Sequence, residues 1–133
     1  MKKILAVAVC VGMLVGCKSS VVTPDGTEAS YSKAEGVLRA AIGGSMPDVV
    51  KATNDTLEDL ELVGIDNTVD KLKGKITARM AVGTKITINL EAMDFDNTSI
   101  KIKVGTFGDR SISLQIFRSI DKRMRNEELG MRN

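Results

Sequence analysis

Residues 75–104 read KITARMAVGTKITINLEAMDFDNTSIKIKV, and the fold turns on this stretch. Apolar and polar residues alternate through it three times. Ile76, Ala78, Met80 and Val82 oppose Lys75, Thr77 and Arg79 in the first run. Ile86, Ile88 and Leu90 oppose Lys85, Thr87 and Asn89 in the second, and Ile100, Ile102 and Val104 oppose Lys101 and Lys103 in the third. A period of two marks half-buried antiparallel strands with one wet face. Gly83 sits where the first two runs must reverse, as a tight hairpin requires. AMDFDN, residues 92–97, makes the second reversal, with Phe95 turned inward.

On either side of these strands the period changes. Gly36–Ile42 (GVLRAAI) is a short apolar run that predicts one more strand, broken by Gly43-Gly44. Ser45 is a good N-cap, with Pro47 and Asp48 in the first turn. Val49, Ala52, Thr53, Thr56, Leu57 and Leu60 then recur at spacings of three and four, which predicts a helix over 46–61 with Gly64 at its exit. After the last strand, Gly105 and Gly108 precede Asp109 and Ser111, either of which can cap a helix over 110–125. Ile112, Ile116, Ile120 and Met124 form its stripe. Residues 126–133 read as a frayed tail. The order β-α-β-β-β-α over residues 35–125 predicts an α+β fold: a two-layer sandwich of a mostly antiparallel four-stranded sheet with two helices on one face.

Upstream, Lys18–Lys33 (KSSVVTPDGTEASYSK) is rich in Ser, Thr, Pro, Asp and Gly and has no sustained periodicity, so residues 17–34 read as a flexible tether. A flexible chain of that length spans roughly 20–25 Å. Further upstream, Lys2 and Lys3 precede an apolar run from Ile4 to Val15, which ends in Leu14-Val15-Gly16-Cys17. About a dozen apolar residues suit a signal peptide, whereas a spanning helix needs roughly 20. An ordinary secretory signal ends in an Ala-x-Ala-like site, and none stands at the end of this apolar run. The Leu-Val-Gly-Cys stretch resembles a bacterial lipobox. That resemblance implies cleavage after residue 16, a diacylglyceryl thioether on Cys17 and an N-acyl chain on its freed amine. Lys18 in place of Asp then implies the outer membrane, if the sorting rule of enteric bacteria applies.

This reading changes the charge and the thiol count. The chain carries 19 Lys and Arg against 17 Asp and Glu, and two of the lysines lie in residues 1–16, so the mature formal charge is zero. A balanced, exported chain lacks the basic bias of a nucleic-acid binder. Of its two cysteines, Cys10 leaves with the signal and Cys17 is blocked, so the mature domain relies on its core alone.

The chemical motifs carry little. The chain has no histidine, which excludes a Ser-His-Asp triad, a Cys-His pair and His-ligated metal. Ser30-Tyr31-Ser32-Lys33 matches Ser-x-x-Lys, but the Ser-Asp-Asn and Lys-Thr-Gly elements that accompany it in penicillin-binding proteins are missing. Asp94-Phe95-Asp96-Asn97-Thr98 has the look of a calcium loop. However, Thr98, Ser99 and Gly105 stand where an EF-hand needs Asp or Asn, Gly and Glu. Gly105-Thr106-Phe107-Gly108-Asp109 joins a strand to a helix, where phosphates can dock. It is neither a Walker A nor a GxGxxG loop, and Asp109 opposes an anion.

Four segments together resemble a family of small bacterial lipoproteins known only as a domain of unknown function. They are LVGC (14–17), the helix residues Ala52, Thr53, Leu57 and Leu60, the strand KITARM (75–80), and TSIKIKVGTFGDRSIS (98–113). The resemblance spans nearly the whole mature domain and has no assigned activity to carry over.

The remaining constellation is the wet face of the sheet, where Lys75, Arg79, Lys85, Lys101 and Lys103 are expected together with Thr77, Thr87 and Asn89, and with Arg39 beside them. A basic, flat, aromatic-poor surface near a membrane suits anionic lipid or an acidic envelope partner. It equally suits a solvated face whose lysines discourage edge pairing. The expected function is therefore that of a non-enzymatic, lipid-anchored envelope protein facing the periplasm, with a binding, adaptor or structural role. It would have no cofactor beyond its covalent lipid and no nucleic-acid partner. The alternatives are a small-ligand-binding lipoprotein, disfavoured by an aromatic content of 3%, and an enzyme built on Asp94, Asp96 or Asp109.

Overall fold

The computed structural model of the chain describes residues 19–22 and 28–131. Residues 1–16, Cys17 and Lys18 lie outside the described residues. Seven strands form one antiparallel sheet: β1 (Ser19–Val22), β2 (Glu28–Ser32), β3 (Val37–Gly43), β4 (Val63–Val69), β5 (Lys73–Arg79), β6 (Lys85–Ala92) and β7 (Asn97–Val104), in the spatial order β1-β2-β3-β7-β6-β5-β4. Two helices, α1 (Met46–Asp59) and α2 (Arg110–Met131), pack against each other; α1 lies over β4, β6 and β7, and α2 over β3 and β7.

The α+β class stands, but the four-stranded sheet is corrected to seven strands. β2 (EASYS) is built of small residues that read as linker, yet Ala29 and Tyr31 alternate inward and are buried in the core. Two of the seven strands therefore lie within residues 17–34, which were expected as tether. β4 (VGIDNTV) escaped notice because Gly64, Asp66 and Asn67 dilute its apolar signal. It is an exposed edge strand with a register shift between Val63 and Asp66, beside Gly64 at φ 61°. A bulge on an edge discourages pairing with a second sheet.

The alternation places the core. Leu38, Ile76, Ile86, Ile88, Leu90, Ile100, Ile102 and Val104 point toward the helices and are buried. They meet Val49, Ala52 and Leu57 of α1 and Ile116, Phe117, Ile120 and Met124 of α2. Each such side chain contributes about 1.5–3 kcal/mol. Val82, expected on this inner face, is 84% exposed because β5 ends at Arg79 and residues beyond it belong to the hairpin turn. Phe95, expected inward, is 95% exposed.

Local chemistry sets the helix ends. Ser45 is the N-cap residue of α1, but its hydroxyl donates to Asp48 Oδ2 (2.6 Å) and no side chain accepts from the first-turn N–H groups. The buried hydroxyls of Thr53 and Thr56 donate to the carbonyls of Val49 and Ala52, 2.7 Å each, which removes their desolvation cost. The left-handed exit from α1 is Glu61 at φ 58°, not Gly64, and Leu62 N–H closes it on Leu57 O (3.0 Å). Asp109 caps α2, its Oδ1 accepting from Ile112 N–H at 2.9 Å. α2 runs on to Met131, so the tail expected from 126 is mostly helical. Glu127 faces Lys51 of α1 at 3.6 Å.

Candidate functional site

With every inner position filled by the core, the polar partners of the alternation are left on the open face of the sheet. The register arranges them in rows across the strands. One row runs Ser30, Arg39, Lys101, Asn89, Lys75, Thr68. The next runs Ser32, Val37, Lys103, Thr87, Thr77, Asp66. Arg79 stands opposite Lys85 at one end, and Lys73, Glu91, Ser99 and Ala41 form a row toward the other. Lys75, Arg79, Lys85, Lys101 and Lys103 thus occupy one face, all exposed except the half-buried Lys103.

Two like-charge pairs lie directly across from each other, Arg79 with Lys85 and Lys101 with Arg39. Such pairs are unfavourable for the sheet itself. Arg39 is compensated by Glu35, which accepts a hydrogen bond from its guanidinium. That bond holds the Glu35 carboxyl below its usual range and raises Arg39, and Lys101 adds a smaller lowering effect on Glu35. Among the described residues, the five cations of the face make no ion pair within 4.0 Å.

The face is not flat. A groove of about 350 Å³ lies on it, lined by Thr68, Asp70, Lys73, Lys75, Asn89, Glu91, Ser99 and Lys101, so three lysines and two carboxylates share its wall. Glu91 was expected on this face as a counterweight to its cations, whereas Lys73, Ser99 and the β4 residues were not foreseen as part of it. The Val63–Val69 run was the signal that would have supplied the β4 residues. The groove can take an extended or branched anionic group, with lysines for charge and Asn, Ser and Thr for hydrogen bonds.

The carboxylates weighed for chemistry have local partners. Asp94 accepts from Asn97 Nδ2 (3.0 Å) and from Asp96 N–H (2.8 Å). These bonds, Asn97 first, hold its carboxyl below the usual range. Asp109 is the cap of α2. Among the described residues, no three His, Cys, Asp or Glu side chains converge as a metal site would need. A second cleft, about 400 Å³, opens beside the start of α1 and is lined by Met46, Pro47, Leu72, Met93 and Phe95, with Lys71 and Asp94 among its polar residues.

The family model described as a protein of unknown function, DUF3568, matches residues 1–123. The chain belongs to that family. The DUF3568 match takes in all seven strands, α1 and residues 110–123 of α2, so the open face and the turn segments at both ends of the sheet are parts of the family's domain. No curated protein matches the chain.

Proposed function

We propose that this chain is a lipid-anchored protein of the bacterial cell envelope. In this reading residues 1–16 export it, Cys17 carries the acyl chains, and the domain binds an acidic partner through its open sheet face without catalysing a reaction. The observation that carries the anchoring is Leu14-Val15-Gly16-Cys17 at the end of an apolar run too short to span a bilayer. Among the described residues no helix is long and apolar enough to cross a membrane. Two or three acyl chains anchor stably where one is marginal, at about 0.8 kcal/mol per buried CH2. Lys18 favours the outer membrane over the inner.

The binding role is supported by the row Arg39, Lys101, Asn89, Lys75 and by the groove beside it. Cations set opposite one another at the sheet's expense are relieved when an anion lies across them. Cell fractionation tests the anchor: the protein should leave the membrane fraction only with detergent, and Cys17→Ser should release it. In-cell crosslinking from Thr87, directly across from Lys103 on the open face, tests the face. A crosslinked partner that disappears in Lys101→Glu with Lys103→Glu supports the reading, and a partner indifferent to both changes contradicts it.

The cleft formed by Met46, Leu72, Met93 and Phe95 favours a second reading, capture of a small apolar ligand. Quenching of a fluorescent fatty-acid probe by the protein, lost in Phe95→Ser, would support it.

A further inference from the structure

We infer that one end of the sheet, the end formed by the turns at 33–36, 80–84 and 105–109, lies against the anionic surface of the bilayer, with Phe107 and Val82 entering the headgroup layer. This rests on the reading that Cys17 is acylated. It follows from where β1 begins. Ser19 is only two residues from Cys17, and an extended chain gains at most about 3.6 Å per residue, so the two Cα atoms lie within about 7 Å of each other. The anchor therefore has almost no leash.

The register says which end it holds. Ser19 stands opposite Tyr31, in the row of Leu38 and Ile102, one residue from the end of β2 and two from the end of β7. The other end of the sheet, where Gly43 meets Asn97, is five residues further down the strands, about 17 Å away.

The near end has the composition of a membrane-contact surface. Phe107 is 90% and Val82 84% exposed, and neither is needed by the core. Single exposed apolar residues are ordinary, but these two stand on adjoining turns, since Gly105 lies against Thr84 and Lys85, and apolar side chains grouped at one end can serve as a contact surface. Their frame is rigid: the backbone of Phe107 and Gly108 lies against Gly36, Gly105 N–H donates to Lys85 O (2.8 Å), and Met80 N–H to Thr84 O (2.9 Å). Lys33, Arg79, Lys85, Lys103 and Arg110 lie in or next to the same three turns as the two apolar side chains. Of the carboxylates at this end, Glu35 is paired with Arg39, Asp59 with Arg123, and Asp109 caps α2, which leaves Glu58, Glu61 and, in the row of Lys103, Asp66 against the five cations. The far end also exposes apolar residues, Leu72, Met93 and Phe95, but sets them among Asp48, Asp70, Asp94 and Asp96, which outnumber Lys71 and Lys73 there. Anionic headgroups attract the first collar and repel the second. The open face then stands upright on the membrane, its groove turned sideways toward the periplasm.

The test uses the full chain, processed and acylated in cells, then reconstituted into vesicles of phosphatidylethanolamine and phosphatidylglycerol. Cys10 leaves with the signal and Cys17 is blocked, so Phe107→Cys, Val82→Cys and Phe95→Cys each provide a single thiol for an environment-sensitive fluorophore. At 107 and 82 the label should shift to shorter wavelength on vesicles and lose quenching by aqueous iodide. At 95 it should keep both its wavelength and its quenching. Acylated, vesicle-bound protein whose labels at 107 and 82 stay as quenchable as that at 95, or whose label at 95 alone is shielded, overturns the inference and leaves the anchor intact. Protein that carries no acyl mass and does not sediment with vesicles overturns the anchor, and the inference with it.

Discussion

Gly36 and Gly108 lie backbone against backbone, both in the left-handed region at φ 66° and 82°. A Cβ on either would overlap the other's turn: one on Gly108 would meet the Gly36 carbonyl, and one on Gly36 would meet the Phe107 carbonyl. This contact fastens the β2–β3 turn to the segment joining β7 to α2. It explains why the VGTFGD stretch needs its second glycine, and it holds Phe107 in place.

Replacing Gly108 with Ala should therefore combine an unfavourable φ with a backbone collision. We expect a loss of about 2–3 kcal/mol. Chemical denaturation of Gly108→Ala beside Gly43→Ala makes the check, since a Cβ on Gly43 meets nothing within 4 Å and its φ is not positive. Equal midpoints for the two variants would contradict the packing described.

The cap on α2 yields a smaller effect. Asp109→Ala removes the acceptor of Ile112 N–H and should cost about 0.5–2 kcal/mol, while Asp109→Asn or Asp109→Ser should recover most of it. A thermal melt reads this directly. A binding defect with unchanged stability would mean that Asp109 acts on a ligand instead.

Two phenylalanines should separate core from surface. Phe117 is fully buried between α2 and the sheet, so Phe117→Ala should lose about 3–5 kcal/mol. Phe95 is almost wholly exposed, so Phe95→Ala should stay within about 0.5 kcal/mol of the parent.

Acid should weaken the fold through its turns. Asp70 accepts from the N–H groups of Lys73 and Leu72, and Asp94 from Asn97 and the N–H of Asp96. Both carboxyls are held below their usual range. A group whose pKa is lower folded than unfolded stabilises the fold fully above the unfolded value, near 4, and loses that contribution as pH falls through the folded value. Unfolding midpoints should therefore fall below about pH 4. A double Asp70→Asn, Asp94→Asn variant should be less stable than the parent at neutral pH and less sensitive to acid. An identical pH slope in the two proteins would contradict the assignment.

The strands of residues 75–104 were legible because alternation is strict wherever one face is packed and the other wet. The same property brought Lys75, Arg79, Lys85, Lys101 and Lys103 onto one face, although their role there is a proposal. What escaped reading lacked that contrast. Ala29 and Tyr31 are buried from a run of serines, where small side chains mimic a linker. β4 at the sheet edge packs only Ile65 against the core and leaves its other residues exposed, so burial shaped its sequence little. Val82 and Phe95 follow the hydrophobic pattern but stand on turns, where pattern no longer reports depth. Phe107 likewise gave no sign of its exposure; its backbone lies against Gly36, a contact between residues about seventy positions apart in the chain.

The most direct test of the account is intact mass spectrometry of the protein extracted with detergent from bacterial envelopes. The account predicts a polypeptide that starts at Cys17 and carries the added mass of two or three acyl chains, all of it on the N-terminal residue. A chain that keeps residues 1–16, or one that begins at Cys17 with an unmodified thiol, would contradict it.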